Sequence, residues 1–244
     1  MKEGSRYLTR LAKYALLLFA LFFIERTAFL AVYHAQAAAD GWGEILATYG
    51  HALHLDISAA AYFFIIPFII ITLQFILPNK WLDRILHGYT ILAIIFIVLT
   101  ALGNIFLYEE WCTKLNYRIW YYLKKPVEIL RTATAFQLIG GGLMAIALCA
   151  GIIYLYFKWI AKPVINKIKK FYWQTGIILA VGIFLIFVGM RGKLTGIPIS
   201  QSSAYFSKNQ ILNDAALNTQ WHLMKSTLRF GKSNRTNLYV TMSA

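Results

Sequence analysis

The sequence has few charged residues and very little cysteine. Only 14% of its 244 residues are charged, against about one quarter in a typical soluble domain. The two cysteines, Cys112 and Cys149, do not have the spacing of a metal site. Cys149 falls within an apolar run, so a disulfide between them is not expected. The shortage of charge argues for a membrane protein, and no metal-binding residue is predicted.

The charges that are present are mostly positive, with a formal net charge of +14. A strongly basic chain can bind nucleic acid, but here the basic residues flank apolar segments. Cations in such positions orient membrane helices and meet anionic lipids. Membrane lipids are therefore the expected partner, and nucleic acid is not.

Five apolar segments approach the length that a helix needs to cross a bilayer, which is about 20 residues. They cover residues 14–33, 57–77, 89–107, 133–157 and 171–190. We therefore predict an all-α polytopic membrane protein. Its five-helix transmembrane domain covers residues 1–190, and a polar extracytoplasmic tail covers residues 191–244.

The distribution of lysine and arginine predicts the orientation of this bundle. Basic residues are concentrated at the N-terminus, around Lys80 and in residues 158–170, and are absent from residues 34–56. Because basic loops stay on the cytoplasmic side, the N-terminus is expected inside and the tail outside. The segment after the third span is the exception, since it is basic and yet predicted to lie outside.

This exceptional segment combines aromatic and basic residues. Its apolar residues recur at helical spacing over 108–123, while Lys114, Arg118 and Lys124 face elsewhere. An aromatic stripe opposite cations is typical of a helix lying in the membrane interface. This outer interfacial helix either fixes the depth of the bundle or contacts lipid headgroups or an outer domain. The candidate contacts are Trp111, Arg118, Tyr122 and Lys124.

Charged residues also lie within or beside the predicted spans. Glu25 and Arg26 fall near the middle of the first span, where charges are costly. Either they are satisfied by polar residues of the bundle, or Arg26 reaches a lipid phosphate or a docked domain. The polar residues considered are Gln74, Asn104 and Gln137.

Asp56 immediately precedes the second apolar segment. We interpret it as a structural N-cap, because a carboxylate accepts hydrogen bonds from the first N–H groups of a helix and suits the positive end of its dipole. A metal site with His51 and His54 is the alternative, although an H-x-x-H pair arises readily by chance.

The tail has its own pattern. Apolar residues spaced for an amphipathic helix recur between Ile211 and Leu228. This helix would lie along the outer surface of the membrane, or the tail would be a linker that another domain orders.

Four stretches together resemble the membrane half of the lipoteichoic acid synthase family, within the alkaline phosphatase/sulfatase superfamily. They are "RTAFLAVY" from Arg26, "HALHLDISAAAYFFIIP" from His51, "LYEEWCTKLNYRIWYYLKKPVE" from Leu107 and "RGKLTGIPISQSSAYFS" from Arg191. Cys112 stands where glycine is usual in the family. The resemblance covers nearly the whole chain.

In that family a large extracytoplasmic catalytic domain follows the tail. Its Thr or Ser nucleophile and divalent metal carry out phosphoglycerol transfer or ester hydrolysis. This sequence contains no such residue set, so no catalytic residue is assigned, the chain alone is expected to be inactive, and the metal is expected in the missing domain. The resemblance implies a membrane anchor and lipid-facing module of a bacterial cytoplasmic membrane enzyme. Its partner is the catalytic domain, in cis or separate, and Arg26 and Arg191 join the candidate lipid or domain contacts.

Two other functions are open from the sequence. A small stand-alone transporter would favour an internal repeat and broken helices, but no repeat is visible and only Pro67 interrupts a span internally. A scaffold that binds a separately encoded outer domain would have the same membrane region as the anchor.

Overall fold

The computed structural model describes residues 2–77, 79–125, 135–161, 172–194 and 198–240. These residues form helices joined by short connections, with no strand among them, which confirms the all-α class. The α-helices are α1 (Lys2–Val32), α2 (His34–Ala37), α3 (Trp42–Ile76), α4 (Lys80–Trp111), α5 (Ile119–Lys124), α6 (Ala135–Trp159), α7 (Tyr172–Arg191), α8 (Gln210–Ala216) and α9 (Thr219–Val240).

Four of the helices are long and apolar enough to cross a membrane. Their candidate spans are Tyr7–Val32, Trp42–Gln74, Lys80–Trp111 and Ile139–Trp159. The fifth predicted span corresponds to α7, whose apolar stretch Thr175–Arg191 is shorter than the other four. A membrane-spanning bundle follows from these lengths, and the fifth crossing stays a prediction.

The second long helix begins well before its apolar segment. α3 begins at Trp42, so the stretch 34–56, which connects the first two predicted spans, is largely helical. The prediction that Asp56 is an N-cap is therefore wrong, because Asp56 lies in the interior of a 35-residue helix. Ala52 and Leu55, four and one positions before it, are completely buried. Packing of residues 42–56 against the rest of the protein explains why the helix begins before the apolar segment.

The segment predicted as an outer interfacial helix is broken. α4 ends at Trp111, and Cys112 adopts a left-handed backbone conformation with φ of 48°. The prediction of a single helix over residues 108–123 is therefore wrong. After Trp111, the only helix in this segment is α5. The break turns Lys114 and Leu115 into the interior, where the Leu115 N–H donates to Asn104 Oδ1 at 3.0 Å.

α3 lies at the centre of the bundle and contacts α1, α4, α7, α8 and α9. Its contact with α7 is close, because the absence of a side chain at Gly182 makes room for the Phe68 ring. α6 lies at the periphery, and only 11% of its apolar stretch within Ile139–Trp159 is buried. The large exposed apolar surface of α6 is what a lipid-facing helix presents.

The tail packs into the bundle. Apolar residues of the tail belong to the same buried cluster as α1, α3, α4 and α6, and they include Ala204, Ala216, Leu217 and Trp221. The single amphipathic helix predicted here is divided into α8 and α9, since Asn218 Oδ1 accepts the Trp221 N–H at 3.0 Å and begins a new helix. Whether residues 191–244 also serve as a linker stays a prediction.

Candidate functional site

Five buried charged side chains lie where α1, α3, the α4–α5 connection and the tail meet. They are each at most 8% exposed, and we call them the buried charge network: Glu25, Arg26, Asp56, Lys114 and Asp214. Charged groups at this depth require protein partners, because desolvation without compensation is costly. The contacts that supply this compensation join the tail to the helices.

Arg26 connects α1 to α3 and to the tail. Its guanidinium forms a 2.8 Å ion pair with Asp56 Oδ1, and its Nε donates to the Ala215 carbonyl at 3.0 Å. Asp56 also accepts from Asn218 Nδ2 at 2.9 Å. One of the two predictions for Arg26 was that polar groups of the protein satisfy it, and this is what the contacts show. The partners are not Gln74 or Asn104, and the side chain of Gln137, also considered for this role, is not among those that the structure describes. Arg26 is 5% exposed, and its observed partners are Asp56 of α3 and the Ala215 carbonyl of the tail.

Lys114 holds the end of α8. Its Nζ donates to the carbonyls of Asp214, at 2.7 Å, and of Leu217. A cation is favourable there because the last carbonyls of a helix lack intrahelical partners and carry the negative end of its dipole. Burial lowers the pKa of Lys114 to about 8. The prediction that Lys114 faces away from the apolar stripe is wrong, because the helix it assumed ends at Trp111.

The two remaining carboxylates bind polar groups across the same junction. Glu25 accepts from Gln220 Nε2 at 2.8 Å, and Gln220 also donates to Thr100 on α4 at 3.0 Å. Asp214 accepts the Tyr108 hydroxyl at 2.8 Å. Burial raises the pKa of Asp214, against the opposing effects of its Tyr108 hydrogen bond and of Lys114.

The network has the properties of an attachment point. The cavity between its side chains is only about 10 Å³, which leaves no room for a substrate. Within the described ranges no group of three His, Cys, Asp or Glu residues is placed to hold a metal ion, so His51, His54 and Asp56 do not form the alternative metal site. Fixing the tail is the role that these contacts support.

An apolar groove lies beside the network, between α3, α4 and α9. Its volume is about 400 Å³, and its walls include Tyr62, Phe63, Tyr89 and Phe96. Trp120 closes one edge, where its Nε1 donates to Thr227 Oγ1 at 2.8 Å. The size and lining suit part of a lipid acyl chain. Sequence periodicity did not reveal this groove, because it forms only when α9 packs against the spans.

The other predicted contacts lie at the α4–α5 connection and at the end of α7. The rings of Trp111 and Tyr122 are 5.5 Å apart, and Arg118 and Lys124 are exposed. Arg191 ends α7, and its carbonyl accepts the Ile199 N–H at 3.0 Å. The Trp111 and Tyr122 rings thus lie together at the α4–α5 connection, with Arg118 just before α5 and Lys124 at its end.

The tail partners of the network were missed by sequence reasoning. Asp214, Asn218 and Gln220 lie in a segment that was interpreted by its apolar spacing alone. The signal that could have found them is charge balance. Two buried cations, Arg26 and Lys114, need more acceptors than the apolar segments offer.

Comparisons with protein-family models, with curated proteins and with solved structures found no match to this chain. The resemblance to lipoteichoic acid synthases therefore rests on the sequence stretches themselves.

Proposed function

We propose that this chain is the membrane anchor and lipid-facing module of a lipoteichoic acid synthase-like phosphoglycerol transferase, or of a related sulfatase-like enzyme. It would cross the bacterial cytoplasmic membrane five times, with the N-terminus inside and the tail outside. The observation that carries the proposal is the attachment of the tail to the spans by the buried charge network.

Such an attachment suits an enzyme that acts on lipids. A catalytic domain must meet headgroups at a fixed height above the bilayer, and a flexible tether would spread it over a large volume. Here the tail is held to α1 by Arg26 and to the α4–α5 connection by Lys114. A domain that follows α9 would therefore start from a fixed position.

The lipid-facing role is supported by two neighbouring surfaces. The apolar groove offers about 400 Å³ for an acyl chain. The segment from Trp111 to Lys124 carries the adjacent Trp111 and Tyr122 rings and the exposed cations Arg118 and Lys124, a composition that favours the headgroup region. The divalent metal and the nucleophile would be supplied by the catalytic domain.

This proposal predicts no chemistry from the chain alone. The purified polypeptide should hydrolyse no phosphate or sulfate ester, with or without added Mn²⁺ or Mg²⁺, because no nucleophile–metal constellation is assigned in its sequence. Turnover that depends on metal and survives repurification would contradict the anchor role.

The genetic context tests the proposal directly. The coding sequence after codon 244 should continue in frame into a sulfatase-like domain, or a separate gene for such a domain should be co-expressed and co-purify with the chain. If neither is found, the anchor proposal fails and a stand-alone role is favoured.

A further inference from the structure

A second cavity lies against α9, on the side away from the apolar groove. Its volume is about 260 Å³. The lining that matters here is basic and aromatic: Tyr117, Trp221, His222, Lys225, Arg229 and Phe230. None of the described residues that line it is acidic. The cavity is therefore open to an anion.

The two cations of this cavity are placed to act together. Lys225 and Arg229 are four residues apart on α9, so their side chains share one face of the helix. Neither forms an ion pair within the described part of the chain, and Lys225 Nζ lies 5.5 Å from the centre of the Trp221 ring. Like charges at this spacing repel each other, and a bound anion would relieve the repulsion.

His222 adds a neutral donor to the same cavity. Its half-buried imidazole makes no side-chain hydrogen bond to another described residue. Burial lowers the pKa of His222 to about 4, and Lys114 and Arg229 act in the same direction. At neutral pH the ring can thus donate one N–H to an anion without a charge of its own.

The aromatic wall of the cavity is held in place. The Tyr117 and Phe230 rings are stacked with centroids 4.4 Å apart, and Ser226 Oγ accepts the Tyr117 N–H at 3.1 Å. The cavity volume of about 260 Å³ is several times the roughly 30 Å³ that one water occupies in the liquid, so a group of several heavy atoms such as phosphate fits.

We propose that Lys225, Arg229 and His222 bind a phosphate group, carried by an anionic phospholipid or present as free phosphate. Charge-assisted hydrogen bonds from lysine and arginine are the usual means of binding phosphate. The cavity lies beside the α4–α5 connection, at the end of a spanning helix, where lipid headgroups would be found. This site goes beyond the anchor role, because it includes none of the earlier candidate contacts and needs no catalytic domain.

The test uses the full chain in nanodiscs and compares variants in which two cations are replaced by neutral glutamines. The site variant is Lys225→Gln with Arg229→Gln. The matched control is Lys80→Gln with Arg84→Gln, an exposed pair at the same spacing on α4, with Arg84 4.9 Å from the Trp81 ring. Native mass spectrometry measures retention of phosphatidic acid over phosphatidylcholine, and thermal unfolding measures the stabilisation by inorganic phosphate over chloride at equal ionic strength.

The wild-type chain should prefer phosphatidic acid, and the site variant should lose about tenfold or more of this preference, as expected for two charge-assisted contacts. The control should keep it. Stabilisation by inorganic phosphate as well would identify a free-phosphate site, and its absence would identify a lipid headgroup site. His222→Phe, which removes the donor but keeps an aromatic ring, should weaken binding even if the double variant fails to fold. Unchanged binding in both site variants, or an equal loss in the control, would overturn the proposal.

Discussion

At the scale of single residues, backbone conformation determines which side chains reach the interior. The left-handed conformation of Cys112 ends α4 and turns Lys114 toward the carbonyls of α8. Side chains with a Cβ disfavour this conformation, whereas glycine adopts it easily. Glycine is thus the residue that this backbone conformation favours at position 112.

Cys112→Gly should therefore stabilise the protein by about 1 kcal/mol, by removing the strain of the left-handed conformation. Cys149→Gly is the matched control. Cys149 lies inside α6, so glycine there should destabilise the protein by about 0.5 kcal/mol or more. Equilibrium unfolding in mild detergent would measure both changes, and effects of the same sign would contradict this view of Cys112.

At the scale of helices, apolar periodicity predicted the existence of the long elements but not their ends. The early start of α3 depends on packing of Ala52 and Leu55 against other segments, which periodicity within the helix does not register. The prediction of an interfacial helix was wrong for a similar reason, since Asn104 and the tail bind the residues that follow Trp111. The charge network itself joins positions almost 190 residues apart, such as Arg26 and Ala215. Local sequence patterns do not predict contacts of this kind.

The contact between α3 and α7 provides a test of helix packing. Gly182→Ala should destabilise the protein by about 1–3 kcal/mol, because the added methyl group would overlap the Phe68 ring. Gly176→Ala, on the same helix, meets no neighbour within 4 Å and should be neutral or slightly stabilising. Thermal unfolding of the two variants would compare them, and equal stabilities would show that α7 does not pack closely on α3.

At the scale of the whole molecule, the distribution of cations predicts one orientation. The inside-positive pattern assigns the strongly basic segments to the cytoplasmic side and the tail, which packs beside the α4–α5 connection, to the outer side. The cations of that connection, which disagreed with the inside-positive pattern, are explained in part. Lys114 is buried against α8 and does not face a membrane surface.

The native cysteines allow a test of this orientation. In a Cys149→Ser variant, the exposed Cys112 should react with a membrane-impermeant maleimide in intact cells. A chain without native cysteines that carries Arg84→Cys should react only after permeabilisation, because Arg84 is predicted to lie inside. The reverse pattern of labelling would place the tail in the cytoplasm and exclude an extracytoplasmic domain.

The central claim is that buried charges fix the tail to the spans, and hydrogen exchange in nanodiscs tests it most directly. Lys114→Met removes the ammonium group that donates at the end of α8, so the Asp214 and Leu217 carbonyls lose this hydrogen bond. Amides of residues 214–221 should then exchange at least about tenfold faster than in the wild type. Lys124→Met, the same change at an exposed position of α5, should leave them unaffected. Equal exchange in the two variants would contradict the claim.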